Sequence, residues 1–369
     1  MSLLLSRRLS RVRRKASLLG HVFSNGFSTW TTPCLIIRAE ACGEGEMGRL
    51  EIFNANEYKS TLLEKKVPLE LTSRETRVTI GASHGWIATL KDDGILRLQD
   101  DLNPAASGTD PKRIPLPPLV TLPRCQTQIV TNVSLSSSCP ESDEDCVVAV
   151  KFLGPQLSFC RPAAAKSEWT NIRVANPCFF SSRVMFSEGD GMFRIPGAGG
   201  HVIGSWDLSK KHKHKIQRLR FQNLPELTKA KRELLHSCLT TEHLVESRTT
   251  GETFMVKWYR KAAKGLWRLK TRALMVFKLD QQGNAVYTQD IGDLVIFLSN
   301  SEPFCVHASS FPKLEPNMVR ILDVDECGTI FLDISSKYSS VITRSPTLPA
   351  PYHIPPQKID PSLVSTLTP

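Results

Sequence analysis

The feature that most constrains this fold is a series of short β-prone runs, paired across glycine-centred turns. Two such runs joined by a tight turn are typical of an antiparallel hairpin. Seven pairs occur: 35–38 with 49–53, 86–90 with 95–98, 147–153 with 157–160, 183–187 with 192–195, 244–247 with 253–259, 273–279 with 285–288, and 318–324 with 329–334. The chain is therefore predicted to be all-β.

The spacing of these hairpins narrows the architecture. One hairpin in roughly 45 residues is close to the length of a four-stranded propeller blade in kelch or WD40 arrays. The sequence repeats neither a WD dipeptide nor a double-glycine kelch signature. The spacing thus favours a β-propeller of six to seven blades, while a large sandwich or two smaller β domains remain open alternatives.

The segments between the hairpins carry fewer signals. Leucines at one face predict a single helix over 224–235, with Pro225 in its first turn. The Pro-rich stretches 111–123 and 346–356 are predicted to be a connector and a tail, and 134–145 an exposed loop. These boundaries give a propeller over 34–335 and a C-terminal tail over 336–369.

The first 29 residues are predicted to be an organelle transit peptide. No acidic residue precedes Glu40, whereas Leu and Val alternate with six cations: Arg7, Arg8, Arg11, Arg13, Arg14 and Lys15. Such a helical or disordered presequence is drawn to anionic lipid and to import machinery. The arginine density favours the mitochondrion over the chloroplast, and the alternative is a basic arm that binds nucleic acid. No apolar run approaches the ~18 residues of a membrane span, so we expect no membrane insertion.

The cysteines and the overall charge limit the chemistry. None of the ten cysteines forms a Cys-x-x-Cys pair, so neither a zinc site nor a thioredoxin-like motif is indicated, and scattered thiols are expected. The net charge is +11, and the leader accounts for six of these charges, which leaves +5. Global basicity is therefore weak support for nucleic-acid binding. No cofactor or metal is predicted.

Two local basic clusters are the candidate binding sites. The first comprises Lys210, Lys211, Lys213, Lys215, Arg218 and Arg220, and the second Lys257, Arg260, Lys261, Lys264, Arg268, Lys270 and Arg272. Trp258, Tyr259 and Trp267 lie within the second cluster. Cations bind phosphate and aromatic rings stack on unpaired bases, so organellar RNA is one hypothesis. The alternative is solvated loops between blades, with the aromatics in the core.

Three short motifs are candidates for structural roles rather than chemistry. In His84-Gly85-Trp86 we expect Gly85 to allow a tight turn or a close approach, and Trp86 to bury its ring while its indole N–H finds a carbonyl. Residues 92–94, Asp-Asp-Gly, suit a hairpin turn better than a calcium site. His201 lies in a glycine-rich loop without the features of a phosphate-binding motif.

An ordered set of motifs resembles a known family. These are 81–86 (GASHGW), 96–98 (LRL), 114–119 (IPLPPL), 157–162 (LSFCRP), 243–247 (HLVES), 276–280 (VFKLD) and 291–298 (IGDLVIFL). Together they resemble the plant F-box-associated β-propeller family (domain of unknown function 295) over about residues 50 to 335. The chain is similar in particular to an organelle-targeted branch that lacks the F-box.

Two departures from the family pattern bear on function. The space ahead of the His-Gly-Trp motif, where relatives carry an F-box, holds only the leader and one hairpin, so an adaptor role in a ubiquitin ligase is not expected. Residues 317–323 are less aromatic than is usual near the last blade. We expect an imported, monomeric, non-catalytic propeller that binds an organellar protein through its loops, or alternatively an RNA-binding accessory factor.

Overall fold

Six blades around a central channel make up the fold. The computed structural model describes residues 31–43, 45–73, 75–76, 78–125, 129–208, 213–262, 268–332, 348 and 350–358. Within these ranges there are 25 strands, one α-helix, α1 (Lys229–His236), and three short 3₁₀ turns (Leu69–Thr72, Pro177–Phe179 and Ala308–Ser310). The chain is therefore a six-bladed β-propeller, not a sandwich or a pair of β domains.

Blades 1 to 3 each have four strands. Blade 1 contains β1 (Cys34–Ala41), β2 (Met47–Asn54), β3 (Lys59–Pro68) and the C-terminal β25 (His353–Ile354). Blade 2 contains β4 (Thr79–Ser83), β5 (Trp86–Leu90), β6 (Ile95–Gln99) and β7 (Arg113–Pro118). Blade 3 contains β8 (Val130–Leu135), β9 (Val148–Phe152), β10 (Gln156–Cys160) and β11 (Thr170–Arg173).

Blade 5 is the only five-stranded blade in the described part of the chain. Blade 4 contains β12 (Met185–Ser187), β13 (Met192–Pro196), β14 (Val202–Asp207) and β15 (Lys213–Arg218). Blade 5 contains β16 (Arg220–Gln222), β17 (Leu239–Glu246), β18 (Thr253–Ala262), β19 (Leu269–Leu279) and β20 (Asn284–Thr288). Blade 6 contains β21 (Leu294–Leu298), β22 (Phe304–His307), β23 (Met318–Leu322) and β24 (Cys327–Phe331). The strands nearest the axis are β25, β4, β8, β12, β17 and β22.

All seven predicted hairpins are present. They give six blades because β17–β18 and β19–β20 belong to the same sheet. The hydrophobic core lies between the faces of adjacent blades: Val245 and Phe254 of blade 5, for example, pack with Ile296 and Val319 of blade 6. Such face-to-face burial, at roughly 25 cal/mol per Å² of apolar surface, is what holds neighbouring blades together.

Two Pro-rich segments lie inside blades, unlike the sequence prediction. Residues 113–118 of the predicted connector form β7, the outer strand of blade 2. Proline is tolerated there because an edge strand needs no N–H on its outer side. Residues 353–354 of the predicted tail form β25, which pairs with β1, and Ile36 N donates to Tyr352 O over 3.1 Å. Segments from both ends of the described chain thus share blade 1 and close the ring.

The helix and one loop also differ from the prediction. The helix begins at Lys229, because the Thr228 side chain caps it by accepting the backbone N–H of Lys231 over 3.3 Å; Pro225 precedes the helix. Ser134 of the predicted loop is buried in β8. Among the described residues, no helix has the length and apolar character needed to cross a membrane. The predicted leader, residues 1–29, lies outside the described residues.

Candidate functional site

The central channel is crossed by the tip of the β21–β22 hairpin, residues 299–302, which we call the axial segment. His353 N of blade 1 donates to Ser299 Oγ over 3.2 Å, and Asn300 N donates to Pro351 O over 3.1 Å. Arg183, just before blade 4, donates to Ser299 O over 2.8 Å. The axial segment therefore links the inner ends of several blades.

Glu302 is the most connected residue of the axial segment. Its carboxylate accepts hydrogen bonds from Ser83 Oγ of blade 2 (2.5 Å), Ser134 Oγ of blade 3 (2.9 Å) and the backbone N–H of Phe186 in blade 4 (2.9 Å). Its own N–H donates to Ala82 O over 2.6 Å. Burial raises the pKa of Glu302 above its usual 4.5, against the opposing effect of the three donors. One side chain thus ties blades 2, 3 and 4 to blade 6.

A cavity of about 480 Å³, the channel-mouth cavity, opens to solvent beside this carboxylate. Its apolar walls are Met185, Phe186, Pro303, Phe304, Val306, Phe311, Pro355 and Pro356, and its polar side chains are His84, Glu188, Glu246, Arg248, Thr249, Glu302 and His307. Apolar walls with a few converging polar groups are typical of a binding site. Five of the six blades contribute to this lining.

The His-Gly-Trp motif stands at the cavity edge. Gly85 has φ +86°, and a Cβ there would lie 2.8 Å from Asn103 Nδ2. The Trp86 ring is buried, and its indole N–H donates to Ser138 O over 2.9 Å. The close approach and the buried ring are both as the sequence predicted. His84, in contrast, does not pack in the core but faces the cavity.

Arg248, Glu188 and His84 form a polar side of the cavity. Arg248 Nε lies 2.9 Å from Glu188 Oε1, and Arg248 Nη2 lies 3.0 Å from His84 Nε2. Burial, together with the Arg248 charge, lowers the pKa of His84 to about 3. His84 is therefore a neutral partner of Arg248, while more than half of the Arg248 side chain remains accessible.

A hydroxyl, an imidazole and a carboxylate lie next to one another at the edge of the channel-mouth cavity. Thr249 Oγ1 lies 2.5 Å from His307 Nε2, and His307 Nδ1 lies 3.3 Å from Asp293 Oδ2. This is the order of groups in a nucleophilic triad. The same Asp293 oxygen, however, accepts the Ser309 hydroxyl at 2.5 Å, and the carboxylate also accepts Ser309 N. Asp293 therefore mainly anchors the turn at residue 309 and holds the imidazole only weakly.

The structure distributes the two predicted basic clusters over different environments. Lys215, Arg218 and Arg220 are exposed on the outer strands of blades 4 and 5. Lys261 Nζ donates to Ser237 Oγ over 2.8 Å, and Arg268 is partly buried. Lys210, Lys211 and Lys264, with Trp267, lie outside the described residues, and of Lys213 only the backbone is described.

Two members of the second cluster are held by contacts with other parts of the protein. Arg260 forms an ion pair with Asp323 of blade 6, and the two side chains are 13% and 14% exposed. Its guanidinium lies 4.4 Å from the ring of Trp258, which is itself buried. Lys257 Nζ donates to Gly199 O over 2.9 Å in the half-buried loop near His201. Arg260 and Trp258 are thus not presented to a ligand.

The described residues contain no group of three or more His, Cys, Asp or Glu side chains arranged to hold a metal. Asp93, in the predicted hairpin turn, accepts Ile95 N over 2.9 Å and pairs with Arg97. Sequence reasoning missed Glu302 and Arg248 because neither belongs to a motif. The one available signal was the polar run 299–302, which directly follows the fully buried β21.

Six blades around a channel with an open mouth place this molecule in the class of β-propeller proteins. The chain belongs to the KIB1-4 beta-propeller family, whose model matches residues 52–341. None of the curated proteins compared with the chain matches it.

Several solved structures match this chain over much of its length. A protein from Lactobacillus plantarum is 11% identical, with 89% of this chain and 99% of that chain covered and a TM-score of 0.41. Streptogramin B lyase is 9% identical, with coverage of 69% and 68% and a TM-score of 0.33. The WD40 domain of SCAP from fission yeast is 9% identical, with coverage of 73% and 69% and a TM-score of 0.26. Similarity at this level says nothing about activity or partners.

Proposed function

We propose that this propeller is a non-catalytic platform that holds a segment of a partner protein at the channel-mouth cavity. The observation that carries the proposal is the position of this cavity beside the Glu302 network. The network fixes the inner ends of four blades, while the cavity next to it exposes apolar walls and the Arg248 side chain. A rigid body with an open, mostly apolar cavity can bind a side chain or a short peptide at low entropic cost.

A photo-crosslinking experiment tests this proposal. A photoreactive phenylalanine analogue replaces the exposed Thr249 at the cavity, or, as a control, the exposed Lys59 in blade 1. Illumination in isolated organelles should yield a discrete protein adduct from position 249 that position 59 does not give. The additional substitution Arg248→Glu should weaken that adduct. Equal labelling from both positions, or an adduct that Arg248→Glu leaves unchanged, contradicts the proposal.

The absence of catalysis is part of the proposal and can be tested separately. Asp293 engages Ser309 more closely than His307, which argues against an activated Thr249 hydroxyl. We expect hydrolysis of p-nitrophenyl acetate at the background rate, and the same rate for Thr249→Val. A burst of product from the wild type that Thr249→Val abolishes would establish an acyl-transfer activity instead.

The targeting proposal rests on the leader composition. We propose that residues 1–29 direct the protein to the mitochondrion, that it acts there as a monomer, and that it is related to the organelle branch of the F-box-associated propellers. Six cations and no acidic residue before Glu40 support import. A fluorescent fusion of the full chain should localise to mitochondria and one lacking residues 1–29 should not. Cytosolic signal from the full-length fusion would contradict import.

RNA binding is the second candidate function, and the exposed Lys215, Arg218 and Arg220 favour it. Phosphate contacts of this kind make binding strongly salt-dependent. Retention on single-stranded RNA that falls with salt and is lost when Lys210 to Lys215 are neutralised would support it. Retention that survives this substitution would exclude this surface as an RNA site.

A further inference from the structure

Blade 5 has a second cavity, of about 1000 Å³, which we call the blade-5 groove. Strands β18 and β19 have 10 and 11 residues, whereas no strand of the adjacent blade 4 has more than six. These two strands of blade 5 are thus longer than the blade-4 strands beside them. The groove is lined by the uncovered face of this sheet, by the loop at 198–201 and by the segment 224–238 that contains α1.

The interior of the groove is largely apolar. Phe221, Phe277, Met275 and Tyr259 line its sheet side, and Leu224, Leu227 and Leu235 line the side that leads into α1. Leu224 is 58% exposed, although it borders a cavity. An exposed large aliphatic side chain beside an apolar cavity is typical of a surface that a partner covers.

Two charged side chains lie within the groove and are held by its walls. Lys257 Nζ donates to Gly199 O over 2.9 Å, and Glu242 Oε1 accepts Gly199 N over 2.9 Å. Both side chains are therefore anchored to the loop at 198–201. The Lys257 ammonium and the Glu242 carboxylate are therefore polar groups at fixed positions among apolar side chains. Binding pockets use such groups to orient a ligand.

The segment 213–238, which supplies Phe221 and the α1 side of the groove, is basic. Arg232 of α1 lies in the lining, and Lys261 Nζ contacts Ser237 at the end of the helix. The segment 213–238 contains seven Lys and Arg residues and two Glu residues, of which Glu226 also lines the groove. A partner that covers this surface therefore needs acidic groups at its edge and apolar groups at its centre.

The groove is better suited to a peptide than to RNA. Base recognition on single strands needs aromatic faces that are free to stack. Phe221 and Phe277 instead pack edge-to-face with each other, with centroids 4.8 Å apart, and the Lys257 ammonium lies over the Phe221 ring at 4.9 Å. Trp258 is buried on the other side of the sheet, against blade 6.

We propose that the blade-5 groove binds an acidic segment of a partner protein, with Asp or Glu residues at the rim and Leu, Phe or similar residues inserted between β18, β19 and α1. This inference rests on the interaction role proposed above, but it uses a surface distinct from the channel-mouth cavity. Lys257 of the second basic cluster lies in the groove lining, and Arg220 of the first cluster directly precedes the lining residue Phe221.

Selection from a random peptide library tests the proposal. Full-length protein is immobilised, 12-residue peptides displayed on phage are selected on it, and the enriched peptides are labelled for fluorescence anisotropy. We expect sequences that combine Asp or Glu with large apolar residues. Their Kd should rise at least tenfold with Leu224→Ser and with Arg232→Glu, both at exposed positions, and thermal unfolding of each variant should match that of the wild type. The exposed Lys59→Glu in blade 1 is the matched charge control and should leave the Kd unchanged.

Each other outcome overturns the inference. Enriched peptides that are basic, or that bind the Leu224→Ser variant as tightly as the wild type, exclude an apolar-anchored acidic segment in the groove. Binding lost with Arg248→Glu but not with the groove variants assigns the peptides to the channel mouth, which supports the proposed function and refutes the groove. A 20-nucleotide oligouridylate is tested as a competitor. If it displaces the peptides, and if its binding is lost with Arg232→Glu but not with Leu224→Ser, the edge of the groove is a phosphate-binding surface instead.

Discussion

Replacing Glu302 with alanine should destabilise the whole propeller, because one carboxylate serves three blades. The substitution leaves Ser83 Oγ, Ser134 Oγ and the Phe186 N–H without their acceptor. A buried donor without a partner costs about 1–3 kcal/mol, and the two hydroxyls can rotate to reduce their share. We therefore expect Glu302→Ala to lower the free energy of unfolding by about 3–5 kcal/mol. The isosteric Glu302→Gln, which keeps one carbonyl acceptor, should cost about 1–2 kcal/mol.

Equilibrium urea unfolding followed by tryptophan fluorescence measures this loss. Trp86 and Trp206 are buried in blades 2 and 4 and report on the packing of these two blades. The control is Glu64→Ala in blade 1, whose side chain is 92% exposed and should change stability by less than about 0.5 kcal/mol. A loss below about 1 kcal/mol for Glu302→Ala would refute the view that this carboxylate holds the inner blade ends together.

The pH dependence gives an independent test of the same residue. Burial raises the folded-state pKa of Glu302 above its unfolded value near 4.5. The folded state therefore binds the proton more tightly, and the resulting stability is complete below pH 4.5 and is lost as the pH rises through the folded pKa. Glu302→Gln does not titrate, so wild type should lose stability relative to this variant as the pH rises from 4.5 through the folded-state pKa of Glu302. A constant difference would contradict the raised pKa.

Three further measurements follow from the structure. Burial lowers the pKa of Lys151 to about 7, so between pH 7 and 10.5 the unfolded state binds this proton more tightly than the folded state. The free energy of unfolding should therefore rise over this range, by up to about 1.4 kcal/mol per pH unit, and Lys151→Met should lack that rise. Arg260→Ala should cost about 3–5 kcal/mol in urea unfolding, because it leaves Asp323 buried without its partner, and a loss under 1 kcal/mol would contradict this. Gly85→Ala should cost about 1–3 kcal/mol in thermal unfolding, since it combines a positive φ with a Cβ 2.8 Å from Asn103 Nδ2, and an unchanged Tm would show that the turn relaxes.

Local sequence determined the seven hairpins. Each hairpin is encoded by a few adjacent residues, namely a turn with glycine or aspartate and β-prone runs on both sides, so all seven could be predicted. The role of Gly85 and Trp86 was also predictable, because turn geometry and burial of a large ring depend on residue type. The Pro-rich segments misled the prediction because their composition does not distinguish a linker from an edge strand such as β7.

Only the tertiary structure decided which hairpins share a blade, how the ring closes and where the functional surfaces lie. β25 joins β1 across more than 300 residues, and Glu302 meets Ser83 and Ser134 from 219 and 168 residues away. A buried carboxylate without partners would be costly, and its partners come from separate blades that no local pattern brings together. The second basic cluster could not be interpreted from sequence for a similar reason. Residues adjacent in sequence alternate between the two faces of β18. Arg260 is therefore paired with Asp323 in the interior, on the face of the strand opposite the blade-5 groove.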